Sequence, residues 1–271
     1  MTSDPARGHP HDVWKGGDAY ERYVGRWSRH VARAFVPWLG VEPGARWLDV
    51  GCGTGAGTAT ILELAEPAAV FGVDPSEAFL AHAREVLVDP RVAFQVGDAQ
   101  ALPVPDGAYD AVVAGLVLNF VPDTAAALDE WRRVTRSGGA VGAYVWDYAG
   151  EMQFLRHFWD AAIALDAGAR ALDEGVRFPL AGPQALAAAF ESAGLTDVTT
   201  RAIDVPTHFA DFDDLWQPFL GGQGPAPAYT LSLSDAARDA LRDRLRAGLP
   251  IGPDGSIDLI ARAWAVRGRR R

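Results

Sequence analysis

Along the chain, apolar positions fall into two alternating rhythms. Over 19–39 they recur at helical spacing (Tyr20, Tyr23, Val24, Trp27, Val31, Ala34, Phe35, Trp38), and Gly40 with Pro43-Gly44 ends the run. Short apolar runs bounded by turn residues then follow at 47–50, 70–73, 92–96, 109–114 and 140–146, and read as buried strands. Helical stretches at 58–66, 75–87 and 124–136 lie between them, and Gly138-Gly139 reads as the turn into the fifth strand. Alternating strands and helices with short connections predict an α/β fold, a parallel sheet covered on both faces. After Asp147 the rhythm changes. An aromatic helical insertion over 148–183 precedes a helix at 183–193, and 198–205 and 257–266 read as a final pair of strands. Between those strands lies a second insertion, 206–250, carrying Gly221-Gly222-Gln223-Gly224-Pro225. The expected layout is a flexible lead-in over 1–18 and one domain over 19–271. That domain divides into an N-terminal cap helix (19–44), a ligand-binding half (45–147) and two lid insertions.

Composition narrows the partners. The 271 residues are 49% hydrophobic and 22% charged, an ordinary globular balance, and the formal net charge is −10. So acidic a chain does not suit capture of nucleic-acid phosphates or an anionic membrane. Cys52 is the only cysteine, which excludes an intrachain disulfide and a cysteine-rich zinc site, and no metal site is expected. No apolar run approaches a membrane span, and the first residues lack the basic-then-apolar plan of a signal peptide. The expected compartment is the cytoplasm. The terminal Arg267-Gly268-Arg269-Arg270-Arg271 reads as a solvated basic tail.

The chemistry concentrates at the strand ends. The first strand breaks into Gly51-Cys52-Gly53-Thr54-Gly55 and then a helix, which offers a ligand backbone N–H groups and a positive helix end. Alone, this pattern also fits a dinucleotide fingerprint. Three carboxylates make the difference. Asp49 stands two residues before the first glycine, Asp74 closes the second strand, and Asp98-Ala99 closes the third. Asp74 can accept two hydrogen bonds from a ribose diol. Ligands of such sheets lie outside the carboxyl ends of the strands, so the three acids converge on one crevice. That crevice suits a cofactor bearing positive charge better than a pyrophosphate.

These segments, with Gly72-Val73-Asp74-Pro75-Ser76, Gly97-Asp98-Ala99, Leu102-Pro103, Asp106-Gly107-Ala108-Tyr109-Asp110 and Gly115-Leu116-Val117-Leu118-Asn119-Phe120-Val121, resemble the class I S-adenosylmethionine-dependent methyltransferases. The likeness is strong over 19–147 and looks nearest the small-molecule branch, type 11, that includes quinone-biosynthesis enzymes. It implies a Rossmann-like, seven-stranded, mostly parallel sheet with helices on both faces, a helical cap and helical lid insertions. It also implies S-adenosyl-L-methionine as cofactor. By that resemblance Gly51, Gly53 and Gly55 line the methionine part, and Asp49 helps hold its ammonium. Asp74, with Pro75 and Ser76 beside it, takes the ribose, Asp98 the adenine amino group, and Ala99 and Leu116 the ring. Tyr20, Tyr23 and Arg26 resemble the segment that closes over the cofactor, with Arg26 pairing with its carboxylate.

The methyl sulfonium is already activated, so the protein must align a nucleophile and exclude water. No general base stands out in the sequence; Tyr20 is the candidate for contacting the acceptor. The expected acceptor wall comprises Asn119, Phe120, Trp146, Phe154, Trp159, Trp216 and Phe219, suited to a flat aromatic or heteroaromatic acceptor such as an indole or phenol. The competing readings are a nucleic-acid or protein methyltransferase and a non-catalytic S-adenosylmethionine-binding protein. The expected partner is a small molecule, with no nucleic acid or membrane; a homodimer stays open.

Overall fold

A computed structural model describes residues 25–221 and 224–271. The expected lead-in over 1–18, the first turns of the predicted cap helix and Gly222-Gln223 lie outside the described residues. In chain order the elements are α1 (Arg26–Trp38), β1 (Arg46–Val50), α2 (Ala56–Leu64), β2 (Ala69–Asp74), α3 (Glu77–Val86), β3 (Val92–Val96) and β4 (Tyr109–Gly115). They continue with α4 (Thr124–Val134), β5 (Thr135–Trp146), α5 (Gln153–Leu165), α6 (Glu174–Arg177), α7 (Pro183–Ser192) and β6 (Thr196–Phe209). The last are α8 (Phe212–Trp216), α9 (Pro225–Ser232), α10 (Asp235–Gly248) and β7 (Ile257–Arg269).

The strands form one seven-stranded sheet in the order β3-β2-β1-β4-β5-β7-β6. The pairs β2–β3, β1–β2, β1–β4 and β4–β5 are parallel. β7 runs against β5: Gly138 N–H donates to Arg270 O while Arg270 N–H donates to Gly139 O. The sheet is therefore mostly parallel. Its central strands β1 and β4 are buried almost throughout, as both-face burial requires.

Chain contacts gather into two compact units. The larger comprises 29–145, 182–203 and 263–271. Its helices start where the sequence supplies caps: Ser76 Oγ accepts from Phe79 N–H ahead of α3, and Asp123 Oδ1 accepts from Ala126 N–H ahead of α4. α1 buries Val31, Phe35 and Leu39, with the Phe35 ring 4.9 Å from that of Tyr144 on β5. Gly142 makes room for this contact, since a Cβ there would stand 2.5 Å from Leu39. The second unit takes its described part from 25–28, 146–181 and 204–262. α5, α6 and α8–α10 lie within it, with the outer parts of β6 and β7.

Two expectations need correction. Helix α4 ends at Val134 rather than 136, and Gly138-Gly139 lie inside β5 instead of forming a turn. Tyr109 pairs with Thr135 but Ala111 with Ala140, so the extra residues form a bulge whose glycines looked like turn residues. The arginine-rich terminus is the end of β7 and not a solvated tail. Arg267 lies over the Trp38 ring at 4.8 Å and donates to the Trp38 carbonyl, while Arg269 donates to Gly40 O at 3.3 Å. These cations satisfy orphan carbonyls at the end of α1.

Gly72, in the middle of β2, has no space for a side chain: a Cβ would meet Phe94 at 2.5 Å and Cys52 Sγ at 2.8 Å. Gly72→Ala is expected to destabilise the protein by about 1–3 kcal/mol through overpacking, measured as a lower urea midpoint at unchanged slope.

Candidate functional site

The site begins where β1 stops. Gly51 N–H and Cys52 N–H both donate to Val73 O, at 2.7 and 3.1 Å, so the chain leaving β1 folds across the end of β2. Gly55 N–H then closes a tight turn on Cys52 O. Gly51, Gly53 and Gly55 all have positive φ (69°, 55° and 90°), a region where side chains are strained. Their surroundings differ. A Cβ on Gly51 would stand 2.3 Å from Val117, and one on Gly55 2.6 Å from Leu87, whereas Gly53 faces open space. Packing thus demands two of the glycines, and the third leaves bare backbone for a ligand to approach.

Asp74 fastens this loop. Its Oδ2 accepts from Gly53 N–H at 2.9 Å and its Oδ1 from Ser76 N–H at 2.8 Å. Burial raises its pKa above the usual carboxylate range, and these two bonds oppose the shift. Asp49, on β1, is also buried, and its Oδ2 accepts from Thr58 Oγ at 2.7 Å. Burial is the main cause that pushes its pKa up to about 6; Thr58 works against it and the Asp74 charge adds to it. Among the described residues neither acid has an ion-pair partner. Burial, with the two acids nearby, also drives the Cys52 thiol upward, so it stays protonated and unreactive.

Other strand ends join the same edge. Gly97 N–H donates to Asp74 O, which sets Asp98 immediately beyond the end of β2. Asp98 is exposed, and Ala99 O accepts from the Trp131 indole N–H at 3.2 Å. Beyond β4, Leu116 holds φ +63°, an unusual value for leucine, while its N–H donates to Tyr144 O. Next comes a short 3-10 turn, Leu118–Phe120. Asn119 carries a buried Oδ1 with no hydrogen-bond partner among the described residues, and Phe120 is exposed. Tyr20 and Tyr23 lie outside the described residues, and Arg26 opens α1.

The remaining acceptor candidates belong to the second unit. Trp146 closes β5, fully buried, and its indole N–H has no partner among the described residues. Phe154 and Trp159 on α5, Trp216 at the end of α8 and Phe219 just after it are all buried. Phe219 stacks on Phe158 with centroids 4.4 Å apart and also contacts Phe154 and Trp216, while Trp159 meets Tyr229 at 5.8 Å. The Trp159 indole N–H donates to Glu174, whose buried carboxyl is pushed up to about 7. These four side chains therefore contribute to the interior of their unit. Thr58, Gln100 and Trp131 were not foreseen as site residues. The spacing Asp98-x-Gln100 is the one local signal that could have found any of them.

Comparison with known proteins settles the family. A model described as a methyltransferase domain matches residues 48–142. The chain is 31% identical over 213 residues to a demethylmenaquinone methyltransferase from Lysinibacillus sphaericus, covering 72% of this chain and 90% of that protein. The chain belongs to the class I S-adenosylmethionine-dependent methyltransferases. The methyltransferase is also 32% identical over 197 residues to 2-methyl-6-phytyl-1,4-hydroquinone methyltransferase from Synechocystis, covering 70% of this chain but only 60% of that enzyme. Among solved structures, phosphoethanolamine N-methyltransferase 2 from Haemonchus contortus, in complex with S-adenosylhomocysteine, aligns with a TM-score of 0.57. At 18% identity, covering 94% of this chain and 57% of that one, the likeness is one of fold.

The residues present fit the cofactor of this family. S-adenosyl-L-methionine carries a sulfonium and an ammonium, and among the described residues no cation pairs with Asp74, which binds the open backbone of Gly53, or with buried Asp49, which feels its charge. No group of three or more His, Cys, Asp or Glu able to hold a metal ion is present among the described residues, and no helix there is long and apolar enough to cross a membrane.

Replacing Asp74 by alanine leaves the Gly53 and Ser76 N–H groups without partners, an expected loss of about 1–3 kcal/mol in the ligand-free protein. Urea unfolding of Asp74→Ala and Asp74→Asn is the check, with the asparagine variant, which keeps one acceptor oxygen, expected to fall between alanine and wild type. Equal stability of all three would exclude a fastening role.

Proposed function

We propose that this methyltransferase moves the methyl group of S-adenosylmethionine to a small aromatic acceptor of phenol, hydroquinone or indole type. The acceptor nucleophile attacks the methyl carbon in line with sulfur. The new bond forms as the carbon–sulfur bond breaks, S-adenosylhomocysteine leaves, and the acceptor's proton passes to water. The observation that carries the cofactor half is the pair of buried carboxylates, Asp49 and Asp74, without an ion-pair partner among the described residues, with Asp74 bonded to the open backbone of Gly53. In this reading Asp49 stabilises the ammonium, and the two oxygens of Asp74, each with a lone pair left after its backbone bond, take the ribose hydroxyls. Asp98 takes the adenine amino group, and Ala99 and Leu116 flank the ring.

For the acceptor, support comes from the hydroquinone and demethylmenaquinone named for the relatives and from two residues beyond β4. The Oδ1 of Asn119, buried and without a hydrogen-bond partner among the described residues, can accept from an O–H or N–H of the acceptor, and Phe120 is the aromatic ring next to it in sequence. Tyr20 is the further candidate for contacting the acceptor. A mass-spectrometric screen of phenols, hydroquinones and indoles with methyl-labelled cofactor tests the proposal. Label in one of these classes is expected, with Asn119→Ala lowering turnover at least tenfold while cofactor affinity stays within about threefold. Label appearing only in protein or nucleic acid would overturn it.

Cofactor affinity should also depend on pH through Asp49. A bound cation favours the ionised form, so affinity is highest above pH 6 and falls below it, by up to tenfold per pH unit as this one carboxyl takes its proton. In the ligand-free protein the raised pKa works the other way. The folded state holds the proton more tightly than the unfolded, so stability declines as pH rises from about 4 to 6. Isothermal titration from pH 5 to 8 should show the binding slope in wild type and a flatter profile in Asp49→Asn.

A further inference from the structure

Asp98 is a reader without walls. It is exposed, lies beyond the end of β3, and has no ion-pair partner among the described residues. A carboxylate so placed rotates among several rotamers in water, and a ligand that needs one of them must select it from the rest. Here the choice is made by Gln100. Its backbone N–H donates to Asp98 Oδ1 at 2.9 Å, and its side-chain amide nitrogen reaches Oδ1 at 3.2 Å and Oδ2 at 3.3 Å. On the other side of that amide, Oε1 accepts from Asp123 N–H at 2.9 Å. This arrangement admits one orientation of the amide. An ionised carboxylate cannot donate and a backbone N–H cannot accept, so nitrogen must face Asp98 and oxygen must face Asp123.

The far end of the bridge is itself fixed. Asp123 caps α4 through Ala126 N–H at 3.0 Å. The same helix grips the segment after Asp98 twice more: Trp131 donates to Ala99 O at 3.2 Å, and Glu130 accepts from Leu102 N–H at 2.9 Å. Position is thus transmitted from a helix anchored by its buried face to an exposed carboxylate through one side chain. The three contacts from Gln100 use part of the acceptor capacity of Asp98, about four lone-pair sites, and leave room for one donor.

We propose that Gln100 is a positioning residue for cofactor recognition, holding the Asp98 carboxylate in the rotamer that receives the 6-amino group of adenine. The inference rests on the assignment of Asp98 to adenine in the proposed function. It predicts an effect specific to that amino group. The probes are S-adenosylhomocysteine and its purine analogue lacking the 6-amino group, titrated calorimetrically against the full chain. Wild type binds the adenine form more tightly. Gln100→Ala and the bulk-preserving Gln100→Met should each reduce that preference by about three- to tenfold, through weaker binding of the adenine form alone. Asp98→Ala should abolish the preference, and the Asp98→Ala/Gln100→Ala double variant should lose nothing further. Equal weakening of both ligands by the Gln100 variants would mark a merely structural residue and overturn the proposal, as would an unchanged preference. If Asp98→Ala itself keeps the full preference, the adenine assignment falls and the proposal with it. Loss of preference in Asp98→Ala but not in the Gln100 variants would overturn the positioning role alone.

Discussion

The site turns on one carboxylate that must stay buried. Asp74 ends β2, and from there it takes the N–H of Gly53 across the loop and that of Ser76 ahead of α3. Two backbone segments that leave neighbouring parallel strands are thereby held to a single side chain. Hydrogen bonds to a charged acceptor are roughly twice as strong as neutral ones, yet taking the charge out of water costs several kcal/mol. The raised pKa of Asp74 says that desolvation wins in the ligand-free protein, and its charge in turn helps to raise the pKa of Asp49. A site built this way is poised for a cation. The favourable counter-charge is left for the ligand to supply, and positive charge is what distinguishes a sulfonium cofactor from a dinucleotide.

Much of this was legible in the sequence because it is local. Strand, glycine turn and helix follow one another within a few residues, and a carboxylate at each strand end is a matter of counting. What escaped depends on distant neighbours. Nothing near Gly51, Gly53 or Gly55 tells that Val117 crowds the first and Leu87 the third while the second stays open. Gly138-Gly139 have turn composition, but hydrogen bonds to Arg270 at the end of β7, with β4 pairing on either side of them, keep them in a bulged strand. The terminal arginines look solvated until the carbonyls at the end of α1, more than two hundred residues earlier, are seen to need donors.

The aromatic residues show a different limit. Hydrophobic periodicity says that a side chain faces away from water, not whether it faces a ligand or another side chain. Phe154, Trp159, Trp216 and Phe219 meet rings on several sides, and Trp159 has spent its one donor on Glu174. Truncating any of them removes packing first, so a loss of activity there says little about an acceptor. Asn119 and Phe120 are a different case. Asn119 keeps a polar atom buried with no hydrogen-bond partner among the described residues, which costs free energy with no structural return, and Phe120 stays partly exposed despite its size. Both lie in the short stretch that Leu116 opens, and its left-handed backbone is itself unfavourable. Two departures from what stability alone would select, within one short turn beyond β4, are the reason to look there for the acceptor's side of the reaction.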